Sequence, residues 1–350
     1  MTAESNTQGL PSLHKRGGAD WHADFNPDVQ RVLDVDLIYH LKHDSVISCV
    51  RFSEDGKYLA TGGNGLAKIF DMTTGSNVAS FQHGDLNENE SCYIRSVCFS
   101  HNGEYLVTRA DDKLIRIWDI ASCAIKNNFD SHDEGIFSLD ISRDGQFIVS
   151  GGADKTVNLG DISSDKLVHK LHSEDIVATV SISPDGHYIA AGLLYKSICI
   201  WDTITGDLVD QLESPGGHHD RVYSVAFAHN SHDLVSGSLD KTIKLWELAA
   251  PRGVDAHSRS AEEKCVRTFK GHEDLVLSIC LTPDNQWIIS GSKDCSARFG
   301  DPETGNVQMI LFGHQNSVIA VAAGATSNIF ATGSGDMSVR VWRYSNLGEL

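Results

Sequence analysis

The chain has 350 residues with 47 acidic and 29 basic side chains, a net charge of −18, and no basic run longer than the pair Lys15-Arg16, so its field repels a phosphate backbone and direct nucleic-acid binding is not expected. The start carries no apolar stretch of signal-peptide length and no 18 consecutive apolar residues occur anywhere, so neither export nor membrane insertion is expected, which leaves cytosol or nucleus. With 41% hydrophobic residues a sizeable core can be built, and the 8 cysteines, lacking any CxxC pair, read as reduced and mostly buried thiols rather than a disulfide or zinc framework.

Residues 1–31 read as a polar N-terminal extension whose order is left open. Beyond them the chain repeats: seven segments end in KIFD (71), IRIWD (119), VNLGD (161), ICIWD (202), IKLWE (247), ARFGD (301) and VRVWR (343), at intervals of 41 to 54 residues. A period of about 40–45 residues with a Trp-Asp ending points to a propeller blade. Each unit opens with an alternating run such as VYSVAF or VLSICL, the mark of a strand with one buried face. Turns follow, SEDG, SHNG, SRDG, SPDG and TPDN, whose residues tolerate the backbone of a tight hairpin. Second strands (FIVSGG, LVSGS, FATGS), the Trp-Asp third strands, and fourth strands such as LVHKLH complete each unit. The expected fold is therefore all-β, a seven-bladed β-propeller over residues 32–344 with a short tail at 345–350. The last unit stops after its third strand, and VDLIYHLKH (35–43) stands in the fourth-strand position, so this N-terminal strand is expected to pair with the last blade and close the ring. Two polar insertions, HGDLNENESC (83–92) and AAPRGVDAHSRSAEEK (249–264), read as loops between blades.

Inside the units, His218, Ser236, Asp240 and Trp246 recur at the same spacing as His314, Thr332, Asp336 and Trp342. The types resemble a hydrolase triad, but repeated copies around a ring have no single cleft, no nucleophile elbow, and an indole on the serine. A hydrogen-bonded chain from Trp through Ser/Thr and His to Asp satisfies every buried polar group at once, so these residues are read as structural tetrads. Metal-ligand spacing of the HExxH or Cys/His kind and a phosphate-binding loop are absent, so no cofactor or metal is expected. Other units depart from the pattern. Gly160 and Gly300 stand in the Trp place of units three and six, Tyr195 and Ala191 replace Asp and Ser in unit four, Glu90 stands for His in unit two, Phe70 ends unit one, and Arg109 follows Thr108 where a small residue is usual. An unfilled Trp-to-Gly hole costs on the order of 3 to 5 kcal/mol, so either neighbours refill it or stability falls, and Gly160→Trp is expected to raise the melting temperature.

The runs at 20–62 (DWHADFNPDVQRVLDVDLIYHLKHDSVISCVRFSEDGKYLATG), YIRSVCFS, LIRIWDI, RVYSVAFA, LVSGSLDKTIKLWEL and FATGSGDMSVRVW resemble the C-terminal WD-repeat propeller of the fungal Tup general transcriptional corepressor family, similar to Groucho, over residues 20–343 without a major break. The resemblance implies a non-enzymatic interaction platform in the nucleus, with cytoplasm also open. Its partners would be DNA-binding repressor proteins, a tetratricopeptide-repeat corepressor partner, and histones or histone deacetylases. By the same resemblance the partner-facing surface is the top of the ring, where Tyr93, Ser96, Asp111, Tyr223, Lys293 and Asn316 fall. The family also carries a long N-terminal helical segment for tetramerisation, whereas the roughly 30 residues before the first strand here are polar and without heptads. The alternative reading is a generic WD-repeat scaffold in a cytoplasmic signalling or ubiquitin-ligase complex.

Overall fold

Alternation of buried and exposed side chains carries over into strands throughout a computed structural model that describes residues 15–83, 92–129, 132–248, 260–325 and 328–347. VYSVAF becomes the inner strand Val222–Phe227, paired in order with Asp233–Ser238, Ile243–Glu247 and the outer Cys265–Phe269. The same antiparallel meander gives seven sheets, which we number as blades one to seven at residues 49–82, 94–129, 136–172, 177–212, 222–269, 276–312 and 318–346. Helix among the described residues is confined to Ala261–Lys264, started by a Ser260/Glu263 capping box just before the outer strand of blade five. The two interblade loop readings fall largely on residues 84–91 and 249–259, outside the described residues.

Ring closure is as expected from the strand count. Leu33–Lys42 pairs antiparallel with Ser338–Asn346, from Leu33 opposite Asn346 to Lys42 opposite Ser338, and becomes the outer strand of blade seven. The chain before it is also built into the sheet system. His22–Phe25 pairs with the outer strand of blade six, Val307–Phe312, and Lys15–Gly17 pairs with His22–Phe25, so blade six has six strands. Trp21 then sets its ring edge-on against Trp342 at 5.3 Å, and Asp20 accepts from the Arg340 guanidinium at 2.9 Å, tying this hairpin to blade seven.

Apolar side chains fill the spaces between sheets, and the inner strands are also stitched by hydroxyls. The backbone N–H groups of Val180, Ile279 and Val321 each donate to a serine of the preceding blade, Ser138, Ser224 and Ser278, at 3.1 Å. Arg51 of blade one reaches past blade two to Asp140 of blade three at 2.8 Å, an ion pair between inner strands that are not neighbours. Asp140 also accepts from the Ile182 N–H, which fixes its carboxylate. Cys49, Cys98 and Cys199 are buried, Cys123 is exposed, and all eight cysteines are free thiols.

Candidate protein-interaction face

The tetrads assemble as hydrogen-bonded chains. In blade five Trp246 Nε1 donates to Ser236 Oγ (2.8 Å), Ser236 Oγ bonds His218 Nε2 (2.7 Å), and His218 Nδ1 bonds Asp240 (2.9 Å). Blade seven repeats this through Trp342, Thr332, His314 and Asp336 at 3.0, 2.7 and 2.8 Å. Since the imidazole must donate to the carboxylate, Nδ1 carries the proton and Nε2 accepts from the hydroxyl. Burial pushes the Asp240 carboxyl up, but His218, Thr242 and the His219 N–H outweigh it and hold the carboxyl below its usual range. Ser236 is buried with its oxygen engaged by both Trp246 and His218, so it is a link in the chain and not a free nucleophile. A fifth member escaped the sequence reading: the hydroxyl two residues after the aspartate, Thr242 or Ser338, donates back to it at 2.5 and 2.6 Å.

The glycine blades keep the rest of the chain. His132 bonds Ser150 and Asp154 at 2.8 and 2.9 Å, and His272 bonds Ser290 and Asp294 at 2.8 and 2.7 Å. Beside Gly300, Phe269 of the preceding blade lies 3.0 Å from where a Cβ would stand, and a cavity of about 10 Å³ remains, lined in part by His272, Ser290 and Arg298. At Gly160 the nearest atoms are the Ile148 Cγ2 at 3.2 Å and the Lys166 carbonyl at 3.8 Å. In blade four the Tyr195 side chain, in the aspartate's place, points outward and is 74% exposed.

Blade two differs from the sequence reading. Glu90 lies outside the described residues, and the histidine place is taken by His83, whose Nε2 bonds Thr108 at 2.8 Å while Trp118 Nε1 donates to the same oxygen at 2.7 Å. The spacing from His to Thr is 25 residues instead of 18 because the insertion follows the histidine, and that hid it. Between His83 and Asp112 stands Arg116, with Nη1 3.0 Å from His83 Nδ1 and Nη2 2.5 Å from Asp112. A guanidinium only donates, so Nδ1 is the acceptor here and Nε2 carries the proton, the opposite tautomer to the other blades. His83, Cys92 and Asp112 are spaced closely enough to ligate a metal, but Arg116 already fills the cationic place among them.

At one end of the ring the inner strands of blades two to seven enter through a bulge, whereas that of blade one pairs without a register shift. Register shifts fall between Ile94 and Ser96, Ile136 and Ser138, Val177 and Thr179, Val222 and Ser224, Val276 and Ser278, and Val318 and Ala320. A bulge re-aims the extra side chain. The bulged residues are thus Arg95, Phe137, Ala178, Tyr223, Leu277 and Ile319, a largely apolar ring around the channel mouth. Phe137 and Tyr223 are 44% and 41% exposed. Outside this ring run the exposed acids that follow the tetrad histidines, Asp133 and Glu134, Asp220 and Glu273, with backbone N–H groups of Asp133 and Glu273 bound to the tetrad aspartates.

The expected rim residues distribute as follows. Tyr223 is a bulge residue, while Tyr93 sits one residue before the buried Ile94, bridges Asn64, and lies under the Arg95 guanidinium at 5.1 Å. The two tyrosines therefore share the face but not the register. Asp111 holds Arg95 through two hydrogen bonds of 3.0 and 3.1 Å, and Lys293 lies exposed 3.9 Å from Asp274. Asn316 is exposed beside Gly335, and Ser96 Oγ donates to the Leu139 carbonyl across the seam to blade three. The sequence reading missed Arg95, Phe137, Leu277 and Ile319; the signal is the residue between an aliphatic and a small one in IRS, IFS, VYS, VLS and VIA.

Seven segments, 36–71, 78–119, 123–161, 165–202, 209–247, 263–301 and 305–343, match the model of the WD domain, G-beta repeat. The chain belongs to the WD-repeat family. Each matched WD repeat begins in or within two residues before the outer strand of one sheet and ends in or one residue after the third strand of the next, and the first, from 36, begins in the ring-closing strand. Among known WD-repeat proteins the chain is 51% identical, over 99% of its length, to the transcriptional repressor rco-1 of Neurospora crassa, and 37% identical over 98% to the general transcriptional corepressor TUP1 of Saccharomyces cerevisiae. It is 45% identical over 80% to the transcriptional repressor tup12 of Schizosaccharomyces pombe. The chain spans 58%, 57% and 46% of the lengths of these relatives.

Proposed function

We propose that this chain is the propeller of a transcriptional corepressor, a non-enzymatic platform that docks DNA-bound repressor proteins on the bulge-ring face and acts in the nucleus. The observation that carries the reading is the half-exposed pair Phe137 and Tyr223 on one rigid rim, surrounded by charged side chains, in a chain similar over nearly its whole length to proteins named transcriptional repressors. Aromatic anchors at the centre of a patch with a polar rim are the usual composition of a binding hot spot. Tyr93, Ser96, Asp111, Lys293 and Asn316 belong to the same docking face in this reading. The −18 charge suits recruitment through other proteins rather than direct contact with DNA. A tetratricopeptide-repeat partner and histones or histone deacetylases are the finer partners proposed, by resemblance to the family. The test is capture from nuclear and cytosolic extracts by the wild type beside Tyr93→Ala and Tyr223→Ala. Recovery of DNA-binding repressors by the wild type, lost in Tyr223→Ala at unchanged melting temperature, supports the reading. Capture of cytosolic complexes alone, or capture indifferent to both tyrosines, overturns it.

A further inference from the structure

Arg109 is 1% exposed, and neither its Nε nor its Nη1 has a hydrogen-bond partner among the described residues. Its nearest acid, Asp111, stands 3.5 Å from Nη1, but both Asp111 oxygens already take hydrogen bonds from Arg95. Asp112 is likewise held by Arg116. Two guanidiniums thus share one carboxylate at the mouth of the channel, a local excess of positive charge in a chain of net −18. The fold does not ask for this arginine. The same register in the other blades holds Gly62, Gly151, Gly192, Gly237, Gly291 and Gly333. In four of these, Gly151, Gly192, Gly237 and Gly291, an added Cβ would come within 2.4–2.7 Å of the next blade's inner-strand valine. Blade two alone makes room for a side chain, and it is a cation taken out of water with one shared ion pair to Asp111 and no hydrogen bond at Nε or Nη1, an arrangement that opposes folding. Burial draws its pKa down from 12.5 to about 9, only partly offset by Asp111. Around it lie the exposed Phe137 ring, 5.9 Å from the guanidinium carbon, and the cation–π pair of Arg95 with Tyr93.

We infer that Arg109 is the receptor for a carboxylate presented by the docked partner, an Asp or Glu side chain that enters the channel mouth beside Phe137 and takes up the unpaired guanidinium N–H groups. A carboxylate matches the planar fork of an arginine in two parallel hydrogen bonds. A monoanion fits better than a phosphate dianion because one unpaired cation is on offer and the surrounding belt, with Asp133, Glu134, Asp220 and Glu273 exposed, repels excess negative charge. The belt also calls for basic residues flanking the central acid, giving the ligand a basic–acidic–basic pattern with apolar contacts to the bulge ring. The inference rests on the docking face proposed above and names the chemistry of what it takes.

A random peptide library displayed on phage and selected on the full chain provides the probe. Selected peptides are resynthesised with Asp and Glu replaced by Asn and Gln, and their affinities are measured by fluorescence anisotropy on the wild type, Arg109→Met and Tyr223→Ala. Neutralising the acid is expected to weaken binding roughly 10- to 100-fold on the wild type, as for a lost charged hydrogen bond, and by less than about threefold on Arg109→Met. Arg109→Met should keep or raise the melting temperature, which separates lost recognition from lost fold. Peptides that depend on Tyr223 but carry no acid, or lose equal affinity on both proteins when neutralised, overturn the carboxylate assignment and leave the docking face standing. So does tighter binding of the same peptide with phosphoserine in place of the acid. A library that yields no Tyr223-dependent peptide counts against the docking face itself.

Discussion

His83 shows how one side chain can be reversed without changing its neighbours. Burial and the adjacent Arg116 pull its pKa from 6.5 to about 4, so the folded state binds fewer protons than the unfolded chain in that interval. Its contribution is therefore complete above pH 6.5 and is lost as the pH falls toward 4, a difference of roughly 3 kcal/mol. Urea denaturation across pH 4 to 7 is expected to show a shallower dependence for His83→Gln than for the wild type, and nitrogen NMR should find the proton on Nε2 of His83 but on Nδ1 of His218. The glycine sites offer a second comparison. Gly160→Trp is expected to raise the melting temperature, because one Ile148 methyl has to give way and Ser150 stands ready to accept the indole N–H. Gly300→Trp is expected to lower it, because the Phe269 ring already lies in the way and the remaining cavity of about 10 Å³ holds no more than a water. Thermal melts of both variants decide the matter.

Strands were legible wherever the buried face was written locally. VYSVAF, LVSGS and IKLWE need no tertiary information to show alternation, and the turn residues between them mark the hairpins. The ring-closing strand was found from a deficit, one sheet lacking a strand and one strand lacking a sheet. The hairpin of Lys15–Gly17 and His22–Phe25 was not legible, because its strands are short and polar and the partner, Val307–Phe312, lies nearly three hundred residues away. The bulge ring stayed hidden for a different reason: alternation assigns Tyr223 and Phe137 to a face, but only the register shift turns them to the mouth. Truncating residues 30–42 is expected to abolish cooperative melting by opening blade seven. Trp21→Ala, which removes the packing of the added hairpin on Trp342 and the core beside it, should cost roughly 2 kcal/mol of stability, about half the loss for a fully buried aromatic. Equal melting temperatures for wild type and Trp21→Ala would show the hairpin to be an ornament.

At the scale of the whole molecule, charge and shape divide the work. In the docking proposed above the acids around the mouth would govern encounter, so association of a basic-flanked peptide is expected to slow several-fold as salt rises from low ionic strength to about 150 mM, with dissociation little changed. Stopped-flow measurements at a series of salt concentrations test this, and a salt-independent association rate contradicts it. Affinity, in the same proposal, would come from the rigid ring, whose inner strands are linked by hydroxyl-to-backbone bonds and leave the rim little to rearrange.

The Arg51–Asp140 pair sets a mechanical condition on the ring itself. The pair ties together two inner strands that share no hydrogen-bonded seam, with blade two held between them. Drawing blades one and three apart would leave the buried Asp140 carboxylate without its cation, so this sector of the circle resists spreading more than neighbour-to-neighbour bonds alone provide.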